Sequence, residues 1–418
     1  MTLITDTAGL AAFCERQADA DFIAVDTEFM REGSYWPRLC LVQIAGPDEH
    51  AAIDPLAEGI DLAPLWTLLD DPTVLKVFHS ARQDIEIVYH MAGKVPHPLF
   101  DTQVAAMVCG FGESASYEKL AGSLAAARID KSSRFTDWSR RPLTPKQIDY
   151  ALGDVTHLRR IYEALRDRLA ESGRESWLDE EMSTLTDPAT YDLHPEEAWT
   201  RLKTRSGDRR FLAVVRELAT WRETEAQRRD LPRGRVLRDD SLLEVAAQKP
   251  TDRAELGRVR GLSRGIAEGR MGGDILEAVA RARALPDSVL PPAPGKRDIP
   301  SGLGPVIELL RVLLKLRCEE NGVAQKLVAS AADLEALAAD DNADVAALAG
   351  WRRSLFGDDA LALKDGRLAL TMAGRNVRVV PVENGAAAAP PAPRRRRSRS
   401  GPRSRSEATS RSSPSTDP

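Results

Sequence analysis

Four carboxylates in this chain stand where apolar side chains belong, and their spacing points to one site. The run FIAVDTEF ends a strand-like stretch on Asp26 and Glu28, two residues apart. Alternate residues of a strand share a face, so the two acids lie side by side. Two like charges at close range need a compensating cation. After VFHS, the helical pattern ARQDIEIVYHMAG carries Asp84 among Ala81, Ile87, Val88 and Met91, which mark its inner face, with Ser80 and Gln83 as an N-cap and N3 pair. A longer helix begins at LTPKQIDYALGDVTHL, where Thr144, Pro145 and Gln147 form the start signal. Ile148, Ala151, Leu152, Val155, Leu158, Ile161 and Leu165 give that helix its buried sector, and Asp154 falls inside it. Tyr150 lies one turn earlier on the same side.

A buried ionised carboxylate is costly unless it is paired or holds a metal. Four of them in a small volume call for divalent cations, and hard oxygen donors suit Mg²⁺ or Mn²⁺ better than Zn²⁺. Two such ions, about 3.5–4 Å apart, can clamp the attacking and leaving oxygens of a phosphoryl group during in-line displacement. Asp26, Glu28, Asp84 and Asp154 are therefore the candidate metal ligands. Tyr150 joins them as the group placed to orient an attacking water.

These residues need a scaffold. Over residues 1–171, FIAVDTEF, RLCLVQIAG, HAAIDPL and VLKVFHS read as strands, the first three close together and the later ones separated by helices. That is an α/β domain with a mixed sheet flanked by helices. Residues 172–204 read as a connector with one or two short helices. Residues 205–285 are helical, with Phe211, Val214, Leu218 and Trp221 at 3.6-residue spacing. This block has 18 basic against 13 acidic residues, opposite in sign to the whole-chain net charge of −5, so nucleic acid would meet a local basic surface. A Pro-rich linker spans 286–301, and a second helical block spans 302–380, ending in the strand-like RLALTMAGRNVRVV. The Arg/Ser/Pro-rich tail, 381–418, carries eight arginines and is expected to be disordered.

With 43% hydrophobic and 29% charged residues the chain reads as globular, and the absence of a long apolar run argues against a membrane span. The N-terminus lacks the pattern of a secretion signal. Cys14, Cys40, Cys109 and Cys318 are scattered, as buried thiols in a reducing cytoplasm would be.

The motifs DTEF, HSARQD and YALGD together resemble the three exonuclease motifs of the DEDD superfamily, in the branch with tyrosine in the third motif. DWSRRPLTPKQIDYALGDVTHL is similar to the ribonuclease D family, and RRDLPRGRVLRDDSLLEVAAQKP to the HRDC helical domain that follows the nuclease there. The resemblance implies a ribonuclease H-like exonuclease domain at 1–171, an all-α HRDC domain at 205–285 and a second HRDC-like domain at 302–380. It implies metal-dependent 3′→5′ hydrolysis of RNA from a free 3′ end, releasing nucleoside 5′-monophosphates, with transfer-RNA (tRNA) precursors as typical substrates. No protein partner is inferred. Asp26, Glu28, Asp84 and Asp154 match the family's metal-binding acids and Tyr150 its water-orienting tyrosine. The competing readings are a 3′→5′ DNA exonuclease and a catalytically silent nucleic-acid-binding scaffold.

Around the motifs, Asp101 is expected to N-cap the helix that follows it. His79 is equally compatible with packing and with touching substrate. SSRFTDWSRR could stack single-stranded RNA on Trp138 or Phe135, with arginines on phosphates, or could be a packed loop.

Overall fold

The computed structural model describes residues 3–130, 136–204, 206–292 and 302–382. A six-stranded mixed sheet organises the N-terminal region: β1 (Leu3–Ile4), β2 (Phe22–Met30), β3 (Arg38–Ala45), β4 (His50–Ile53), β5 (Leu75–Phe78) and β6 (Leu99–Asp101), in the spatial order β1-β4-β3-β2-β5-β6. β2, β3 and β4 form an antiparallel meander, while β5 and β6 add in parallel. Helices α1 (Thr7–Gln17), α2 (Ala63–Asp70) and α3 (Arg82–Ala92) precede β2, β5 and β6, and pack on one face. They are followed by α4 (Thr102–Val108), α5 (Tyr117–Leu124) and the long α6 (Pro145–Ser172).

β2 is central because both its faces are apolar. Ile23 and Val25 pack with Leu10, Phe13, Leu65 and Ile85 on one side, and Phe22 and Ala24 with Val155, Leu158 and Tyr162 of α6 on the other. In β5, Lys76 is fully buried; its ammonium donates to the carbonyls of Asp71 (2.6 Å), Val74 (2.8 Å) and His97 (2.6 Å), which satisfies all three protons. α6 starts as its sequence signals: Thr144 Oγ1 accepts from the Gln147 amide, Gln147 Oε1 accepts from the Thr144 amide, and Gly173 ends the helix at φ +63°.

α3 departs from expectation. It begins at Arg82 without a side-chain cap, and Ser80 sits at φ +62°. The amides of Ser80 and Ala81 are instead taken by the Asp101 carboxylate, at 3.0 and 2.8 Å. Asp101 also caps α4 through the amides of Gln103 and Val104, so one side chain closes two helix starts. Ile85, and not the half-exposed Met91, completes the inner face of α3.

α7 (Asp179–Thr186) and short 3₁₀ turns make the connector. In the helical block that follows, α8 (Arg209–Arg229) packs with helices Asp239–Gln248 and Arg270–Ala284 through Leu218, Val245, Ile275 and Val279. It is docked on the sheet region through the β2–β3 turn. Asp230 accepts from the amides of Tyr35 (3.0 Å) and Trp36 (2.9 Å), the Arg233 guanidinium lies 4.7 Å from the centre of the Tyr35 ring, and Trp36 stacks on His90 of α3 at 3.9 Å.

Among the described residues, the second helical block shares its core with the first region. Leu310, Leu313, Leu314 and Phe356 form one cluster with Ala105, Leu120, Ile161, Leu165 and Leu169. Trp177 and Trp351 stack at 4.2 Å, Ala324 N donates to Met107 O at 2.9 Å, and Arg174 donates to Asn321 O at 2.8 Å. Its end is an antiparallel hairpin of β7 (Leu368–Ala373) and β8 (Asn376–Pro381). Most of the Pro-rich linker and the tail beyond 382 lie outside the described residues.

Candidate active site

The acids meet at the end of the central strand. Asp26 and Glu28 continue the α6-facing side of β2, and a bulge separates Glu28 from Phe29 as the strand runs out. Asp154 comes from α6, which crosses that face. One carboxylate oxygen from each of Asp26, Glu28 and Asp154 lies within 4.8 Å of the others. Asp84 is not in this triad: it sits on α3, on the other side of β2, 7% exposed, and accepts from the Thr27 hydroxyl. Its charge still reaches the cluster, since Asp26 and Asp84 are electrostatic neighbours.

Electrostatics shows what this arrangement costs. Burial pushes the Asp26 carboxyl up to about 7. Burial, then the charges of Asp26, Asp154 and Asp84, pushes Glu28 up to about 9. Burial and Asp26 likewise hold Asp84 well above the usual carboxylate range, against the Thr27 hydrogen bond. Carboxylates with these environments take up protons or a cation. The donors are all hard oxygens that converge, so the residues present fit a divalent ion such as Mg²⁺ or Mn²⁺.

Tyr150 lies one helical turn before Asp154, half-buried, with its ring 6.1 Å from that of Trp138. Burial and the Asp154 charge raise its hydroxyl far above the usual phenol range, so it stays a proton donor. Trp138 itself is 2% exposed and packs with Cys40, Leu41, Ala151 and Leu152, which corrects the expectation that it could stack on RNA. Arg141 from the same stretch is bidentate to Asp54, both contacts at 2.6 Å, and donates to Cys40 O. Residues 136–141 form a packed loop behind Tyr150; Phe135 lies outside the described residues.

The cluster opens into a cavity of about 480 Å³, walled by Phe29, His79, Ser116, Tyr117, Ile129 and Leu158 besides the acids and Tyr150. A second groove, lined by Arg128, Lys146, Gly153 and His157, meets it at Ile129, Tyr150 and Asp154. Tyr117 and Gln43 lie outside every motif, and Thr27 lies inside DTEF with no role legible there. Tyr117 places its hydroxyl on the carbonyls of Gly153 (3.2 Å) and Asp154, bracing α6 where it carries the acid. Thr27 orients Asp84. Gln43 stands opposite Asp26 on β3, fully buried, its amide without a protein partner among the described residues. An amide inside the apolar run RLCLVQIAG was the only available signal for it.

The sheet, with acids from its central strand and from the crossing helix, is the region that a 3′–5′ exonuclease family model describes. The 3′-5′ exonuclease family model matches residues 1–170, and the HRDC domain model matches residues 211–279. The chain belongs to the ribonuclease D family and is a 3′→5′ exoribonuclease. It is 53% identical to ribonuclease D of Gluconacetobacter diazotrophicus over 91% of this chain and 96% of that one. It is equally 53% identical to ribonuclease D of Nitrobacter hamburgensis, over 91% and 99%. The crystal structure of Escherichia coli RNase D, described as an exoribonuclease involved in structured RNA processing, superposes with a TM-score of 0.76 at 31% identity, covering 87% of this chain and 98% of that one.

Proposed function

We propose that this exoribonuclease trims RNA with a free 3′ end, tRNA precursors in particular, in the cytoplasm. In this reading it uses two divalent ions, Mg²⁺ or Mn²⁺, held by Asp26, Glu28, Asp84 and Asp154. The observation that carries the reading is the convergence of Asp26, Glu28 and Asp154 within 4.8 Å, at a cavity able to take a nucleotide. When bound, the ions supply Lewis acidity and charge neutralisation at the phosphoryl group. The chain supplies the rest. Tyr150, kept protonated, donates a hydrogen bond that orients the attacking water. Phe29, Ile129 and Leu158 give the terminal nucleotide an apolar wall. Tyr117 holds the turn of α6 that bears Asp154, so the carboxylate is set before substrate arrives. The RNA work fits the family's name and its attached HRDC domain better than it fits DNA proofreading. No helix among the described residues is long and apolar enough to cross a membrane.

The test is product analysis on a 3′-extended tRNA precursor and a matched single-stranded DNA, with Mg²⁺, with Mn²⁺ and with chelator. The expected result is stepwise release of nucleoside 5′-monophosphates from RNA, abolished by chelation. Preference for DNA under both metals, or release that survives chelation, would overturn the reading.

A further inference from the structure

His79 closes β5 and lines the same cavity as Asp26, Glu28, Tyr150 and Asp154. Its hydrogen bonding fixes which of its nitrogens is left over. Thr102 Oγ1 lies 3.0 Å from the Phe78 carbonyl and 3.0 Å from His79 Nδ1. A carbonyl can only accept, so the single hydroxyl proton of Thr102 goes to Phe78. Thr102 Oγ1 must then accept from His79, which places the imidazole proton on Nδ1 and leaves Nε2 as an acceptor.

The ring is also held in place. Thr102 is fully buried, Ser80 turns the chain sharply at φ +62°, and Asp101 grips the next two amides. Tyr117 meets the ring edge-on at 5.6 Å. Burial disfavours the imidazolium against the attraction of Asp101, so the ring is an acceptor at neutral pH. An acceptor cannot bond a phosphate or a carboxylate. It recognises a group that brings its own proton, and a nucleotide offers these on ribose and on base.

We propose that His79 is a substrate-binding residue whose Nε2 accepts a hydrogen bond from the 3′-terminal nucleotide, given either by its ribose 2′-hydroxyl or by its base amine. This rests on the reading that the cavity takes that nucleotide. The ribose 2′-hydroxyl and the base amine share the required chemistry, and substrates separate them.

The experiment uses three RNAs of one sequence, ending in adenosine, in 2′-deoxyadenosine or in purine ribonucleoside, which lacks the 6-amine. Each is hydrolysed by the full chain and by two variants. His79→Asn keeps a donor toward Thr102 but has nothing at Nε2; His79→Gln puts an amide oxygen near the Nε2 position. The expected result is a loss of about tenfold in kcat/KM for His79→Asn on the adenosine end, as for one uncharged hydrogen bond. That loss should disappear on one of the two modified ends, and His79→Gln should recover part of it. Disappearance on the deoxy end identifies the 2′-hydroxyl; on the purine end, the amine. An equal loss on all three ends, or none, overturns the proposal. If His79→Asn fails to fold, the wild type decides: equal rates on all three ends overturn the proposal, and discrimination against one supports it. A wild type inactive on every RNA with either metal would instead overturn the functional reading beneath it.

Discussion

Replacing Asp26 or Asp154 by the isosteric amide separates what these acids do for catalysis from what they cost in folding. Loss of a metal-holding carboxylate should lower RNA hydrolysis by about a thousandfold or more, while RNA binding largely survives. Unchanged turnover would show that the metal ligands are assigned wrongly. The same Asp26→Asn change should raise the melting temperature of the metal-free protein at pH 8. The sign follows from the shift: a carboxyl whose folded pKa is raised to about 7 is penalised most above that pH, where it must ionise among its neighbours. Protons and cation compete for the cluster, so metal affinity should fall as pH drops through the range set by Asp26 at about 7 and Glu28 at about 9. Calorimetric titration of Mn²⁺ is expected to show binding weaker by about tenfold or more at pH ~6.5 than at pH ~8.5. A pH-independent affinity would contradict the raised values.

α6 shows at the level of an element what could be read from the chain in advance. Its cap, its buried stripe and the acid inside that stripe depend on neighbours one or two turns away, so they are visible in sequence. The groups that brace it are not. Tyr117 reaches Asp154 across 37 residues and Thr27 reaches Asp84 across 57, and no local pattern encodes those meetings. Trp138 is ambiguous for the same reason: an aromatic among arginines suits a stacking platform as well as a packed loop, and only the fold, which buries it beside Tyr150, decides for the loop. Gly153 offers a test on this helix. A Cβ there would meet nothing within 4 Å, and the position lines the groove beside Asp154. Gly153→Ala should stabilise the helix by up to about 1 kcal/mol, raising the melting temperature. It should also raise KM for RNA by narrowing the groove. An unchanged KM would mean that the groove does not carry substrate.

Over the whole molecule, the HRDC domain and the nuclease are held by a small polar knot. Glu223, 1% exposed, receives two 2.6 Å hydrogen bonds from Arg233 and one from the Tyr35 hydroxyl. Burial raises its carboxyl, yet these donors hold it below the usual carboxylate range. Glu223→Ala would strip both partners; because Arg233 is partly exposed, the cost should be about 1–3 kcal/mol. Hydrogen exchange should then quicken at residues 31–37, and unchanged protection there would show that Trp36 and Asp230 suffice. The second helical block is tied in differently. The first half of α6 packs under the sheet, and its second half, from Ile161 onward, packs with Leu310, Leu313 and Phe356. A single unbroken helix thus belongs to two hydrophobic cores, and neither can melt without disturbing the other. Nuclease and C-terminal block should therefore appear as one cooperative heat-absorption peak in scanning calorimetry, while the HRDC domain, with its own core, can give a separate transition. A chain cut between residues 292 and 302 should keep its two pieces together until that shared peak is passed.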